Sequence, residues 1–176
     1  MRARRPASKG FTLVELLITV AIIGIIAAIA VPALLRGRMA GNEASAIGSI
    51  RAINAAETAY ATSAARGGFA VLLSTLQTPC GGAGAGFLSM DLSFDPSFKS
   101  GYIVTLQAAA GSNVGPVDCN GTATQTGYYA SAIPRVVGAT GQRAFASNNI
   151  NAVWQNTTGV APTEPFAVTA TINPIQ

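Results

Sequence analysis

The sequence predicts an α+β fold in which one long N-terminal helix packs on a small antiparallel β-sheet. Three observations lead there. From Phe11 to Leu35 the chain is apolar or uncharged apart from one carboxylate, Glu15. From Arg36 to about Ala65 it is alanine-rich, with Ile47, Ile50, Ile53 and Tyr60 on one face at helical spacing and Glu43 and Arg51 assigned elsewhere on the helix. Beyond residue 100, short β-branched and aromatic segments alternate with glycine and asparagine turns.

Taken in order, residues 1–10 form a short basic leader containing Arg2, Arg4, Arg5 and Lys9. The apolar run of residues 11–35 follows. As a helix it would measure roughly 37 Å, enough to cross the ~30 Å hydrocarbon core of a bilayer with some tilt. A carboxylate inside such a segment costs on the order of 2.5 to 3.5 kcal/mol on insertion scales, so Glu15 calls for a cation. Gly24 and Pro32 interrupt the run. Proline lacks an N–H and crowds the carbonyl four residues earlier, here Ala28, which predicts a bend or a stretch that melts readily. An ordinary secretory signal peptide would also show a basic start and a small-residue site such as Ala28-Ile29-Ala30, but its apolar core is shorter and would not hold Glu15.

The motif Gly10-Phe11-Thr12-Leu13-Val14-Glu15-Leu16-Leu17, behind a basic leader, resembles the N-terminus of the type IV pilin and pseudopilin family. The resemblance implies a pilin fold, removal of the leader between Gly10 and Phe11 by a membrane-embedded prepilin peptidase, and methylation of the new Phe11 amine by the same enzyme. It assigns Glu15 to pairing with the N-terminal amine of a neighbouring subunit, which would supply the cation. It also assigns the segment from Gly24 to Pro32 to the part of the helix that unwinds on assembly. Self, the peptidase, the inner-membrane assembly machinery and membrane lipid are the implied partners. The implied life history is a single-pass inner-membrane precursor with cytoplasmic leader and periplasmic head, then a cell-surface or periplasmic filament. A type II secretion pseudopilin and a monomeric anchored binding domain are the competing readings.

After the apolar run the sequence predicts an amphipathic helix over residues 36–66, closed by Arg66-Gly67-Gly68, and a head over 67–176. A connection over 67–100, with one short helix near Val71–Leu76, should cover a sheet edge. Three or four strands are expected, at Tyr102–Gln107, Tyr128–Ile133, Arg143–Ser147 and Asn151–Gln155, with a weaker signal at Phe166–Ile172. The tyrosines and Trp154 read as core or sheet-face residues. The pattern Lys99-Ser100-Gly101-Tyr102, Tyr128-Tyr129-Ala130 and Gly141-Gln142-Arg143-Ala144-Phe145 is similar to pilin-like bacterial proteins, with less specificity than the N-terminus. Cys80 and Cys119 lie on the side of the anchor that the basic flank sends out of the cytoplasm, so they are expected to pair.

Composition narrows the chemistry. The precursor has 11 Lys and Arg against 7 Asp and Glu. Removing the four leader cations leaves 11 − 4 = 7 of each sign, so the basic character belongs to the leader and is no signature of nucleic-acid binding. There is no histidine, the acids are scattered, no metal-ligand spacing occurs, and the glycines from Gly81 to Gly86 follow no strand. The expectation is a structural protein with no cofactor, no metal and no catalytic residue. Asn120-Gly121-Thr122 and Asn156-Thr157-Thr158 match the glycosylation sequon without further support.

Overall fold

The chain is helical from Leu13 to Ser63 (α1): alanine favours helix in its second half, while the Ile- and Val-rich first half is helical despite the weaker propensity of β-branched side chains. The computed structural model describes residues 10–82 and 84–175, so the leader expected over residues 1–10 lies outside the description except for Gly10. The chain divides after Gly37 into two units. In the first, residues 13–35 of α1 expose their apolar side chains, and the helical assignment runs through both Gly24 and Pro32 without a break. In the second, residues 38–63 of α1 form one side of the head. The helix ends where Arg66 and Gly67 turn left-handed, at φ 52° and 92°, and the Gly67 N–H returns to the carbonyl of Ala61 at 2.8 Å. Glycine tolerates that geometry without a Cβ clash.

Among the described residues the rest of the head is a short helix, Leu73–Gln77 (α2), two 3-10 turns and eight strands. These are β1 Ser97–Lys99, β2 Tyr102–Ala108, β3 Val114–Val117, β4 Ala123–Gln125, β5 Tyr128–Pro134, β6 Ala144–Asn148, β7 Trp154–Asn156 and β8 Ile172–Pro174. Six form an antiparallel sheet in the order β1-β2-β5-β6-β7-β8, while β3 and β4 make a separate ribbon. The three or four strands expected are therefore the centre of a six-stranded sheet. The extra edges, β1 and β8, each hold three residues, too few to show alternation in the sequence. Within the connection 67–100, β1 pairs with β2 and so does cover an edge.

Strand alternation gives the sheet two different faces. Tyr102, Val104 and Leu106 of β2, Tyr128, Ala130 and Ala132 of β5 and Phe145 of β6 join Ala46, Ile50, Ile53, Ala56 and Tyr60 of α1 in one core. Alanine at 130 and 132 leaves room for bulkier neighbours: Leu106 pairs with Ala130, Val104 with Ala132, and Phe145 with Ala132 across the strands. Burying Ile50, Ile53 and Tyr60 contributes about 1.5–3 kcal/mol per side chain. The other face is covered by the C-terminal segment. There Phe166 stacks on Trp154 at 5.4 Å, Tyr129 donates to the Pro162 carbonyl at 2.5 Å, and Glu164 accepts from Asn148 Nδ2 at 2.7 Å and Ala110 N at 2.8 Å.

One expectation about α1 is overturned. Glu43 does not lie away from the buried face; it is buried on it, accepting the N–H groups of Gln142 at 2.9 Å and Arg143 at 3.1 Å and the Arg143 guanidinium at 2.7–2.8 Å. Glu43, Ile50 and Glu57 are spaced by seven and share that side of the helix. Burial pushes the Glu43 carboxyl up, but the Gln142 N–H and the two Arg143 donors outweigh it and hold the group below its ordinary range.

Cys80 and Cys119 form a disulfide that fastens the connection after α1 to the turn between β3 and β4. With 39 residues of separation, the chain-entropy argument makes the bond worth up to about 4 kcal/mol. We predict that Cys80→Ser lowers the denaturant-unfolding free energy of the head by about 2–4 kcal/mol. An unchanged unfolding midpoint and slope would exclude that contribution.

Glu57 sits fully buried with only one oxygen satisfied: Oε2 accepts from Ala70 N at 3.0 Å, and Oε1 has no partner. Burial pushes its carboxyl from an ordinary 4.5 to about 8, against the smaller pull of the Ala70 N–H. The folded head thus binds this proton more tightly than the unfolded chain does. Its contribution is full below about pH 4.5, falls as pH rises towards 8, and is level above. We predict that wild-type stability, measured relative to Glu57→Gln, declines over that window by on the order of several kcal/mol. Parallel stability curves for the two proteins would contradict it.

Candidate functional site

The motif residues stand at the start of α1. Helix beginnings leave four N–H groups without partners, and a threonine followed three residues later by glutamate can satisfy two of them reciprocally. Thr12 and Glu15 do this. The Glu15 N–H donates to Thr12 Oγ1 at 3.2 Å, while Glu15 Oε2 accepts from the Thr12 N–H at 3.1 Å and the Thr12 hydroxyl at 2.9 Å. Glu15 therefore has a local task that sequence reading missed, although Thr-x-x-Glu at a helix start is a legible signal. Both accepted bonds fall on Oε2, and Oε1 has no bond among the described residues.

Gly10 and Phe11 precede this cap, outside the helix, and both are exposed; Phe11 is 84% accessible. The Gly10–Phe11 bond therefore lies outside the helical hydrogen-bond ladder. The helix then presents Leu13, Leu16, Leu17, Val20, Ile22, Ile23, Ile25 and Ile26 in all directions, each more than half exposed. It is long and apolar enough to cross a membrane. Thr19, the next hydroxyl, bonds back to the Leu16 carbonyl at 2.8 Å and so carries no unsatisfied donor into the apolar zone. An apolar surface on every side needs lipid or other apolar helices around it.

Gly24 and Pro32 lie further along the same helix, and Cys80 and Cys119 are in the head. Among the described residues no cluster of three metal-ligating side chains occurs. In the head, Gly141 has a steric reason: a Cβ there would collide with the Tyr102 ring and hydroxyl, and that hydroxyl donates to the Arg143 carbonyl at 2.7 Å. The Gly141-to-Phe145 pattern thus sets the loop that meets Glu43. Asn120 and Asn156, the two sequon asparagines, both use their side chains to hold turns; Asn156 is buried.

Comparison with known proteins agrees with the geometry of the first segment. Residues 5–31 match the prokaryotic N-terminal methylation motif family. The chain is also similar to the type IV major pilin protein PilA of Myxococcus xanthus, 40% identical over 62 residues. That alignment covers 34% of this chain and 28% of the pilin's length. No solved structure matches the chain.

Proposed function

We propose that this chain, which carries the prokaryotic N-terminal methylation motif and is similar to a type IV pilin, is a structural subunit that polymerises into a pilus-like filament. The carrying observation is the motif itself, seated on an exposed, capped helix start with one carboxylate ahead of an apolar run. A prepilin peptidase would cut between Gly10 and Phe11 and methylate the Phe11 amine. Residues 11–35 would hold the subunit in the inner membrane with its head in the periplasm, and assembly machinery would then move it into the filament, residues Gly24 to Pro32 unwinding as it packs. Because lipid and neighbouring helices are equally apolar, burial alone gives that transfer little direction.

Glu15 supplies the direction. Its Oε2 stays on Thr12 while Oε1 is available to the amine of a neighbouring Phe11, so the helix cap and the intersubunit pair can coexist. The chemistry would serve a secretion pseudopilin as well; similarity to a major pilin favours the pilus.

Two measurements test this reading. N-terminal mass spectrometry of membrane protein should find a methylated Phe11, and Gly10→Val should leave the precursor uncut; a start near Ala28 or Val31 would establish a signal peptide instead. Glu15→Gln keeps a group able to cap Thr12 but removes the charge, leaving the neighbour's amine uncompensated at on the order of 3–5 kcal/mol per subunit. We expect normal cleavage, normal membrane accumulation and few or no sheared filaments from that variant. Glu15→Ala should do the same, whereas Thr12→Ala, which costs about 1 kcal/mol of cap and no charge, should still assemble. Wild-type filament yield from Glu15→Gln would refute the pairing.

A further inference from the structure

At its start in the head, α1 gathers two segments, the loop from Val136 to Arg143 and the turn at Ser100, at one corner. Asn42 Nδ2 donates to the Thr140 carbonyl at 2.8 Å, Glu43 holds Gln142 and Arg143, and the Ser45 and Ser100 hydroxyls are 2.9 Å apart. The turn from Val136 to Gly141 is closed by its own bonds, Thr140 N to Val136 O at 2.9 Å and Gly138 N to Gly141 O at 2.9 Å. On this fixed turn Val136 and Val137 are 54% and 50% exposed. Val160 is 64% exposed and follows Gly159, whose position abuts the Val137 side chain. Three valines thus face solvent at one corner.

The charges left unpaired here, among the described residues, have one sign. Arg38 and Arg135 are exposed, and among the described residues neither has an acidic partner. Two acids of the head are already paired: Glu43 with Arg143, and Asp91 with Lys99. Across the described head, Asp95 is the one exposed carboxylate outside an ion pair, and both its oxygens accept from Leu73 N, Ser74 N and Ser74 Oγ. A second copy of this chain therefore has little free negative charge to offer these arginines. A phosphate surface has it in excess.

Covalent reach brings such a surface close. The apolar run ends at Leu35, and the seven residues from there to Asn42 can span at most ~25 Å even fully extended. We propose that this corner is a lipid-docking surface, used while the subunit resides in the membrane: Val136, Val137 and Val160 meet the headgroup boundary and Arg38 and Arg135 bind the phosphates of anionic phospholipid. The proposal rests on the membrane-anchored reading above. It gives the waiting subunit a preferred seating of its head, which assembly must release.

The chain has no free cysteine among its described residues, so single nitroxide labels can be placed selectively. Full chain carrying Val137→Cys is labelled and reconstituted at low density in vesicles of phosphatidylcholine with about one-third phosphatidylglycerol. Labels at Ile22→Cys, inside the apolar run, and Asn149→Cys, at the opposite end of β6, serve as references. The Val137 label should lose contact with a water-soluble relaxation agent while the Asn149 label keeps it. Each arginine near an anionic surface should favour docking about fivefold, so Arg38→Gln with Arg135→Gln, or pure phosphatidylcholine, should restore aqueous contact. A Val137 label as wet as Asn149 in anionic vesicles overturns the proposal. So does shielding that survives loss of both arginines, or that vanishes on diluting protein in lipid, which would mark a second copy. An Ile22 label exposed to water would instead show that the anchor reading has failed.

Discussion

The inner stripe of α1 must bury itself on the sheet, and most of the head's features follow from that contact. Ile50, Ile53 and Tyr60 supply the apolar area, while Ala130 and Ala132 on β5 keep the sheet low enough to receive them. The stripe also carries two carboxylates, and burial forces each to an answer. Glu43 is paired, with two backbone N–H donors and a guanidinium, and it thereby fixes the loop that opens β6. Glu57 has one donor and no cation, so it resolves its burial by holding its proton.

The same helix shows how environment follows from the distribution of side chains along one element. Residues 13–35 expose apolar side chains on all sides, whereas residues 38–63 divide into a buried stripe and a polar remainder. A helix of the first kind is complete only in lipid or among other apolar helices. The second kind is completed by its own sheet. The motif residues Gly10, Phe11 and Glu15 belong to the first segment, while the head is held by the Cys80–Cys119 bond and by the C-terminal segment clamped through Glu164 and Phe166.

The equal numbers of Lys/Arg and Asp/Glu beyond residue 10 hide an uneven allocation. Acids of the head are spent inward or on neighbours, on Arg143, Lys99, backbone N–H groups and the Tyr60 hydroxyl. Several arginines are left facing solvent. A balanced sequence thus yields a cationic exterior, because a carboxylate accepts from backbone donors that a guanidinium cannot use.

Much of this was legible from residue order. The unbroken apolar run from Phe11 to Leu35 marks a helix with no polar side, Gly67 marks the helix end, and the tyrosine-rich segments mark the central strands; each is a local property read over a few consecutive residues. Cys80 and Cys119 could be paired from compartment alone, since only two cysteines exist. The edge strands β1 and β8, the burial of Glu43 and the orphaned oxygen of Glu57 were not legible in that way. A three-residue strand is defined by the partner it meets, and the fate of a helical carboxylate depends on which distant backbone reaches it, here Gln142 or Ala70. Such contacts join residues far apart along the chain, and only the folded arrangement of α1 against the sheet decides them.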